Sequence, residues 1–165
     1  MRVLVLAPPM GEVGGVQRYT DTLVRALREV VGVENVRVLA VRRGNIGDAE
    51  TGRLRAWEKG RFAISAMWGA ARWRPDLVIC THAGLSPVGW LLHRLWRCRY
   101  WVVAYGIEVW GAIPLWKRNA LHKADKILAI SCFTRDRLIG CHQIATEGIV
   151  IMPCVLEDHL LGIVP

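Results

Sequence analysis

Six short apolar runs recur along the chain, and they constrain the fold more than any other feature. Each run has the length of a strand, and stretches with helical spacing lie between successive runs. Continuous apolar runs of this kind are typical of strands buried on both faces, and alternation with helices predicts a parallel sheet. We therefore predict a doubly wound, mostly parallel α/β sheet with helices on both faces. The runs are residues 2–7, 36–41, 76–81, 100–105, 126–131 and 148–153.

The helices between these runs are also legible. Residues 16–31 carry apolar side chains at helical spacing, and Ser86-Pro87 is typical of the N-cap and first residue of a helix. The polar, glycine-bearing stretch 42–60 predicts a long loop. The other predicted helices are 61–73, 86–98, 114–123 and 133–140.

Length and composition indicate one packed domain. The chain has 165 residues, of which 53% are apolar and 22% charged. Its five cysteines are scattered without a CxxC pair, so we expect neither a disulfide framework nor a metal site. An apolar run directly after Met1-Arg2 does not resemble a cleavable leader, and no run reaches the roughly 18 residues that span a bilayer. We expect a cytoplasmic protein.

The net charge of +8 is concentrated between Arg53 and Arg99, where nine basic residues face two acidic ones. Five of the eight tryptophans lie in the same span, including Trp90 and Trp96 beside Arg94, Arg97 and Arg99. Tryptophan beside arginine is the composition of a surface at a lipid headgroup layer, which predicts an anionic membrane surface at the inner face of the cell membrane. The alternative is a solvated basic face with ordinary core tryptophans. No nucleic-acid binding motif accompanies the charge, so we expect no nucleic acid partner.

Ligands of parallel α/β sheets bind beyond the carboxyl ends of the strands. After the first run, Gly14-Gly15 precedes a helix whose free N–H groups and dipole suit a phosphate or a sugar hydroxyl. The glycines do not form G-x-G-x-x-G, and no P-loop lysine follows. Their alternative role is a tight turn. His82, after the third run, is a candidate for substrate contact or for capping backbone groups.

Four segments, taken together in their order and spacing, resemble the amino-terminal half of GT-B fold glycosyltransferases of the group 1, or family 4, kind. They are GGVQRYTDTLVRAL, VVAYGIEVWG, KADKILAISCFTRDRL, and GIVIMP followed by VLEDHL. The resemblance implies a Rossmann-like domain over residues 1–160 that mainly holds the acceptor of a sugar transfer. It implies that the donor-binding carboxy-terminal domain is absent from this chain. The expected partners are a nucleotide sugar, which is a co-substrate rather than a cofactor, and a glycan or lipid-linked acceptor.

The resemblance also implies roles for single residues. Gly14 and Gly15 match a glycine turn near the donor phosphates, and Arg18 matches a basic position just inside the following helix. Tyr105-Gly106-Ile107-Glu108 matches a segment that commonly reads His-Gly-x-Glu or His-Gly-x-Asp, whose histidine lies close to the reacting sugar. The resemblance therefore makes Tyr105 and Glu108 the catalytic candidates. Gly106 and Ser131 are candidates for substrate binding.

Two alternatives stay open for these residues. Ser131 also suits a helix N-cap, and Glu108 also suits a brace for its own loop. Tyr105 stands where the family has histidine, and a phenol donates a hydrogen bond but is a poor base near neutral pH. Met152-Pro153-Cys154-Val155 is a second departure, because the family often shows Pro-Asn-Gly there.

These departures leave two rival functions. One is a non-catalytic binding module with the same fold. The other is a different doubly wound nucleotide enzyme, such as an epimerase or a dehydrogenase, although the missing G-x-G-x-x-G counts against a dehydrogenase.

Overall fold

A computed structural model describes residues 1–9, 14–42 and 56–153, and they form a six-stranded sheet in the order β2-β1-β3-β4-β5-β6. All five strand pairs are parallel. The predicted doubly wound sheet is confirmed, and each apolar run matches one strand to within a few residues. The strands are β1 Val3–Ala7, β2 Val36–Ala40, β3 Leu77–Cys80, β4 Arg99–Ala104, β5 Lys126–Ala129 and β6 Ile149–Ile151.

Within the described ranges, six α-helices connect the strands. The predicted loop 42–60 is wrong at its end, because residues 56–60 already belong to α2, while residues 43–55 lie outside the described part of the chain. The four-residue helix α4 was not predicted. Among the described residues, no helix is both long enough and apolar enough to cross a membrane. The helices are α1 Gly15–Val31, α2 Ala56–Trp73, α3 Ser86–Trp96, α4 Ile107–Trp110, α5 Leu115–His122 and α6 Cys132–His142.

The sheet separates two apolar layers, because successive side chains of a strand point to opposite faces. Val3 and Val5 pack on the side of α1, with Tyr19 and Val24 of that helix. The opposite face packs against α2, α3, α5 and α6. Helices therefore cover both faces, as predicted. This second layer contains Leu4, Leu6, Phe62, Ala66, Val78, Leu92, Val102, Leu121, Ile127 and Leu138.

The start of α3 differs from the prediction. Ser86 is not the N-cap but the first helical residue, and Leu85 precedes it in a helical conformation. The reason is a 3-10 helix over Ala83–Leu85 that runs directly into α3. The Ser86 hydroxyl donates a hydrogen bond of 2.8 Å to the carbonyl of Ala83 inside this junction. Pro87 lies in the first turn of the helix, as predicted.

Glycine at two helical positions provides a test of this packing. A Cβ added at Gly89 of α3 would lie 2.6 Å from the sulfur of Cys80 and 3.0 Å from the ring of Tyr100, whereas a Cβ at Gly69 of α2 meets nothing within 4 Å. We expect Gly89→Ala to lower the free energy of unfolding by about 1–3 kcal/mol, because α3 must move away from the sheet. Gly69→Ala should raise it by up to about 1 kcal/mol through helix propensity. Urea unfolding of both variants checks this, and equal effects would contradict the close approach of α3.

Candidate active site

Residues that follow four strands meet at the carboxyl edge of the sheet. Tyr105, the first residue after β4, lies between two other rings. Its ring centroid is 5.5 Å from that of Tyr19 in α1, edge to face, and 6.5 Å from that of His82, which follows β3. The carbonyl of Tyr105 accepts a hydrogen bond of 3.1 Å from Thr134 in α6. One edge thus brings together the predicted residues Tyr105 and His82 with Tyr19 and Thr134, which were not predicted.

The carboxylate of Glu108 holds the loop after β4. Its Oε1 accepts a 2.8 Å hydrogen bond from the N–H of Tyr105, and its Oε2 accepts a 3.0 Å bond from the N–H of Gly106. Gly106 is buried, and a Cβ there would lie 2.6 Å from the ring of Trp110. These contacts fix where the chain leaves β4 and enters α4. The bracing role is therefore observed, and contact of Glu108 with a substrate stays a prediction.

Ser131 is the N-cap of α6. Its hydroxyl oxygen accepts a 3.1 Å hydrogen bond from the N–H of Thr134 and donates to the Thr134 hydroxyl, which in turn donates to the carbonyl of Tyr105. Ser131 therefore supports the Tyr105 loop through Thr134. This is the capping alternative, and contact of Ser131 with a ligand stays a prediction.

His82 caps the 3-10 helix that follows β3. Its Nδ1 accepts a 2.9 Å hydrogen bond from the N–H of Gly84, so the hydrogen-bond pattern assigns the ring proton to Nε2. Burial lowers the pKa of His82 below its usual 6.5; the charge of Glu108 acts in the opposite direction, and Lys117 adds to the lowering. At neutral pH the imidazole is uncharged and offers one N–H donor.

A cavity of about 730 Å³ opens beside these residues. His82 forms part of its wall, and α2, α3 and α5 supply most of the rest. Among the described residues that line it, Lys59 and Lys117 are the charged ones. The wall is otherwise mostly apolar. Its other residues are Pro8, Pro9, Val16, Gln17, Val41, Phe62, Ala63, Gly84, Leu85, Pro87, Val88, Leu91 and Trp116.

The two lysines and Trp116 were missed by the sequence analysis. Lys117 lies in the first turn of α5, and its ammonium group donates a 3.0 Å hydrogen bond to the carbonyl of Glu108. Burial lowers the pKa of Lys117, and the nearby Glu108 raises it. The sequence did contain a signal for Lys117. Pro114 marks the start of a helix soon after β4, and the first turn of a helix at this edge of the sheet faces the site.

The residues predicted to bind the donor lie at the start of α1. Gly14 is the N-cap with an extended backbone, while Gly15 and Arg18 are exposed. The amide of Gln17 donates a 3.2 Å hydrogen bond to the carbonyl of Pro9 and so ties this helix start to the chain after β1. Residues 10–13 of the glycine turn lie outside the described residues. Tyr19 connects this group to Tyr105, but no described contact joins Gly14, Gly15 or Arg18 directly to it. Their binding roles stay predictions.

A substitution at Gly15 distinguishes the two roles considered for Gly14-Gly15, which are ligand binding and a tight turn. A Cβ at this position meets nothing within 4 Å, and the residue is helical, so the fold itself has no need of a glycine there. We expect Gly15→Ala to leave the melting temperature unchanged or to raise it slightly, since alanine is the better helix former. Thermal unfolding followed by circular dichroism checks this. A clear loss of stability would show that the glycine serves the turn.

The lowered pKa of His82 predicts a dependence of stability on pH. Between the folded pKa and 6.5 the unfolded chain binds the proton more readily, so the free energy of unfolding falls as pH drops through 6.5. Above 6.5 the contribution is fully present. His82→Asn keeps an oxygen to cap Gly84 but does not titrate, so its stability should fall less over the same range. Urea unfolding at several pH values measures both, and parallel curves would exclude His82 as the group responsible.

The chain matches a known family by sequence and several solved structures by fold. The model of Glycosyltransferase Family 4 matches residues 13–158. None of the curated proteins matches the chain by sequence. Among solved structures, sucrose-phosphate synthase from Thermosynechococcus elongatus superposes with a TM-score of 0.70 at 14% identity, over 97% of this chain and 50% of that one.

Two further solved structures are similar. HepE from Anabaena in complex with UDP has a TM-score of 0.63 at 13% identity, over 97% of this chain and 46% of its own. The lipopolysaccharide outer core galactosyltransferase WaaB has a TM-score of 0.62 at 11% identity, over 96% and 47%. The chain thus spans about half the length of these structures and has the fold of a Rossmann-like half of GT-B enzymes. Because the family model covers most of its residues, the chain belongs to Glycosyltransferase Family 4.

Proposed function

We propose that this chain is the acceptor-binding domain of a glycosyltransferase that moves a sugar from a nucleotide-sugar donor to a glycan or lipid-linked acceptor. The observation that carries the proposal is the cavity of about 730 Å³ at the carboxyl edge of the sheet. Open parallel sheets bind their ligands at this edge, and the volume lies within the range of small-molecule sites.

The chemistry of the wall favours an acceptor with an anionic group beside an apolar part. Lys59 and Lys117 supply positive charge, and burial around Lys117 strengthens its attraction for an anion. Trp116 is 61% exposed and offers a ring on which a sugar can stack. The Nε2–H of His82 is available to donate to an acceptor hydroxyl. A phosphorylated lipid or a phosphorylated glycan meets all of these groups.

The predicted catalytic residues take different roles in this proposal. Tyr105 positions the transferred sugar or the acceptor by hydrogen bonding and does not act as a general base, since a phenol holds its proton near neutral pH. Glu108 acts as a positioning residue, because its carboxylate holds the N–H groups of Tyr105 and Gly106. Gly106 and Ser131 keep the loop and the helix beside it in place.

The donor side of the proposal rests on the start of α1. HepE, which has this fold, is solved in complex with UDP and with UDP-glucose. We place the phosphates of a nucleotide sugar at Gly14 and Gly15 on chemical grounds, because the positive end of the helix dipole and the exposed Arg18 lie there. The resemblance assigns most of the donor contacts to a second domain, so we propose that the chain alone binds nucleotides weakly and transfers no sugar.

Binding of a simple amphiphile tests the acceptor site. We expect the 165-residue chain to bind octyl phosphate about fivefold to tenfold more tightly than octyl glucoside, since one partly buried ion pair contributes about 1 kcal/mol. Lys117→Met should remove most of this preference and Lys117→Arg should keep it. Titration followed by NMR chemical shifts, below the micelle concentration of each ligand, measures both affinities.

The matched control is Lys123→Met, because Lys123 follows the same helix but is exposed and outside the cavity. Its preference for octyl phosphate should equal that of the unmodified chain. An equal loss in Lys117→Met and Lys123→Met, or equal affinity for the two ligands, would contradict an anionic acceptor in this cavity.

Calorimetry with UDP-glucose and GDP-mannose tests the division between donor and acceptor sides. We expect affinities no tighter than about millimolar for the chain alone, because few groups here can neutralise a diphosphate. Micromolar affinity, or sugar transfer by the isolated chain, would contradict that division. A chain that binds octyl phosphate yet supports no transfer when joined to a donor-binding domain would favour the binding module, which the replacement of histidine by Tyr105 also suggests.

A further inference from the structure

The outer side of α2 exposes three large apolar side chains in one line. Trp57, Ile64 and Trp68 are 52%, 64% and 57% exposed, and their spacing places them on one side of the helix. The opposite side holds Phe62 and Ala66, which are buried against the sheet. An amphipathic helix of a globular domain normally turns charged groups outward, so large apolar groups on both sides indicate a second contact surface.

Positive charge runs along the same line. Arg61 and Arg72 continue the spacing of Trp57, Ile64 and Trp68, and the Arg72 guanidinium lies 5.7 Å from the ring centroid of Trp68. The acidic residue of α2, Glu58, is only 8% exposed, so the exposed charged side chains of the helix are basic. We call this line of five residues, 57, 61, 64, 68 and 72, the α2 stripe.

The neighbouring helix α3 extends the pattern. It packs beside α2, contains no acidic residue, and exposes Trp90 and Leu95 together with Arg94. Trp96, which the sequence analysis placed in the lipid-facing group, instead packs against the core. Exposed apolar and basic side chains thus occur on both helices, whereas Trp96 follows the alternative of a core tryptophan.

We infer that the α2 stripe is a docking surface for an anionic lipid layer. Tryptophan and isoleucine enter the boundary between headgroups and acyl chains, while arginine on the same surface pairs with lipid phosphates. Charge of a single sign selects an anionic layer over a neutral one. The inference rests on the exposure and charge of α2 and stands apart from the proposed acceptor site.

Helix α2 also contributes to the cavity, from the side opposite the stripe. The first turns of α2 supply Lys59, Phe62 and Ala63 to the cavity wall, so the stripe and the cavity share one helix.

Vesicle binding tests the inference with the 165-residue chain. We expect the chain to sediment with vesicles that contain phosphatidylglycerol but not with pure phosphatidylcholine vesicles, and less at high salt than at low salt. The double variants Ile64→Ser with Trp68→Ser, and Arg61→Glu with Arg72→Glu, should each weaken binding by about tenfold or more. All four side chains lie on the outer side of α2, so melting temperatures should stay close to that of the unmodified chain.

The matched control lies across the sheet, on α1. Val30 is 82% exposed and Arg25 is exposed, so Val30→Ser with Arg25→Glu changes one apolar and one basic group away from α2. Its vesicle binding should stay within about twofold of the unmodified chain. Equal weakening by the control, unchanged binding in both stripe variants, equal sedimentation with both lipids, or none with either would overturn the inference. The stripe variants should keep the chemical-shift changes that octyl phosphate causes at Lys117 and the other cavity residues, which separates this outcome from failure of the acceptor site.

Discussion

The candidate site depends on the two hydrogen bonds that the Glu108 carboxylate accepts from backbone N–H groups. It closes the loop that leaves β4, and that loop places the ring of Tyr105 between Tyr19 and His82. The backbone carbonyl of Glu108 accepts a hydrogen bond from the ammonium group of Lys117, so the same residue also orients α5 at the cavity. A charge-assisted pair of hydrogen bonds of this kind is stronger than a neutral one, which suits a junction that several elements share.

The fold was predictable because its signal is carried by local composition. Strands buried on both faces need continuous apolar sequence, and the runs around Val3 and Val102 have this composition and are buried. Connection rules then bring every carboxyl end to one edge, so the neighbourhood of Tyr105 and His82 followed without coordinates. The family model over residues 13–158 agrees with that reasoning.

The cavity and the exposed stripe were less accessible to sequence reasoning, because both depend on side-chain direction. Pro114 marks the start of α5 near this edge, but the pattern does not say which side chain of α5 turns toward Glu108, and Lys117 is the one that does. Trp96 and Trp68 both belong to the basic, tryptophan-rich span, yet Trp96 packs against the core while Trp68 is exposed. Only the phase of each helix against the sheet decides between these outcomes.

The tautomer of His82 has a consequence for proton flow. Nδ1 already accepts the N–H of Gly84, and Nε2 already carries its hydrogen, so this imidazole takes up no further proton while the cap is intact. The other ionisable side chains of the described cavity wall are ammonium groups. Among the described residues, the cavity wall can therefore donate hydrogen bonds to a bound molecule, and its ionisable side chains do not take up a proton from it.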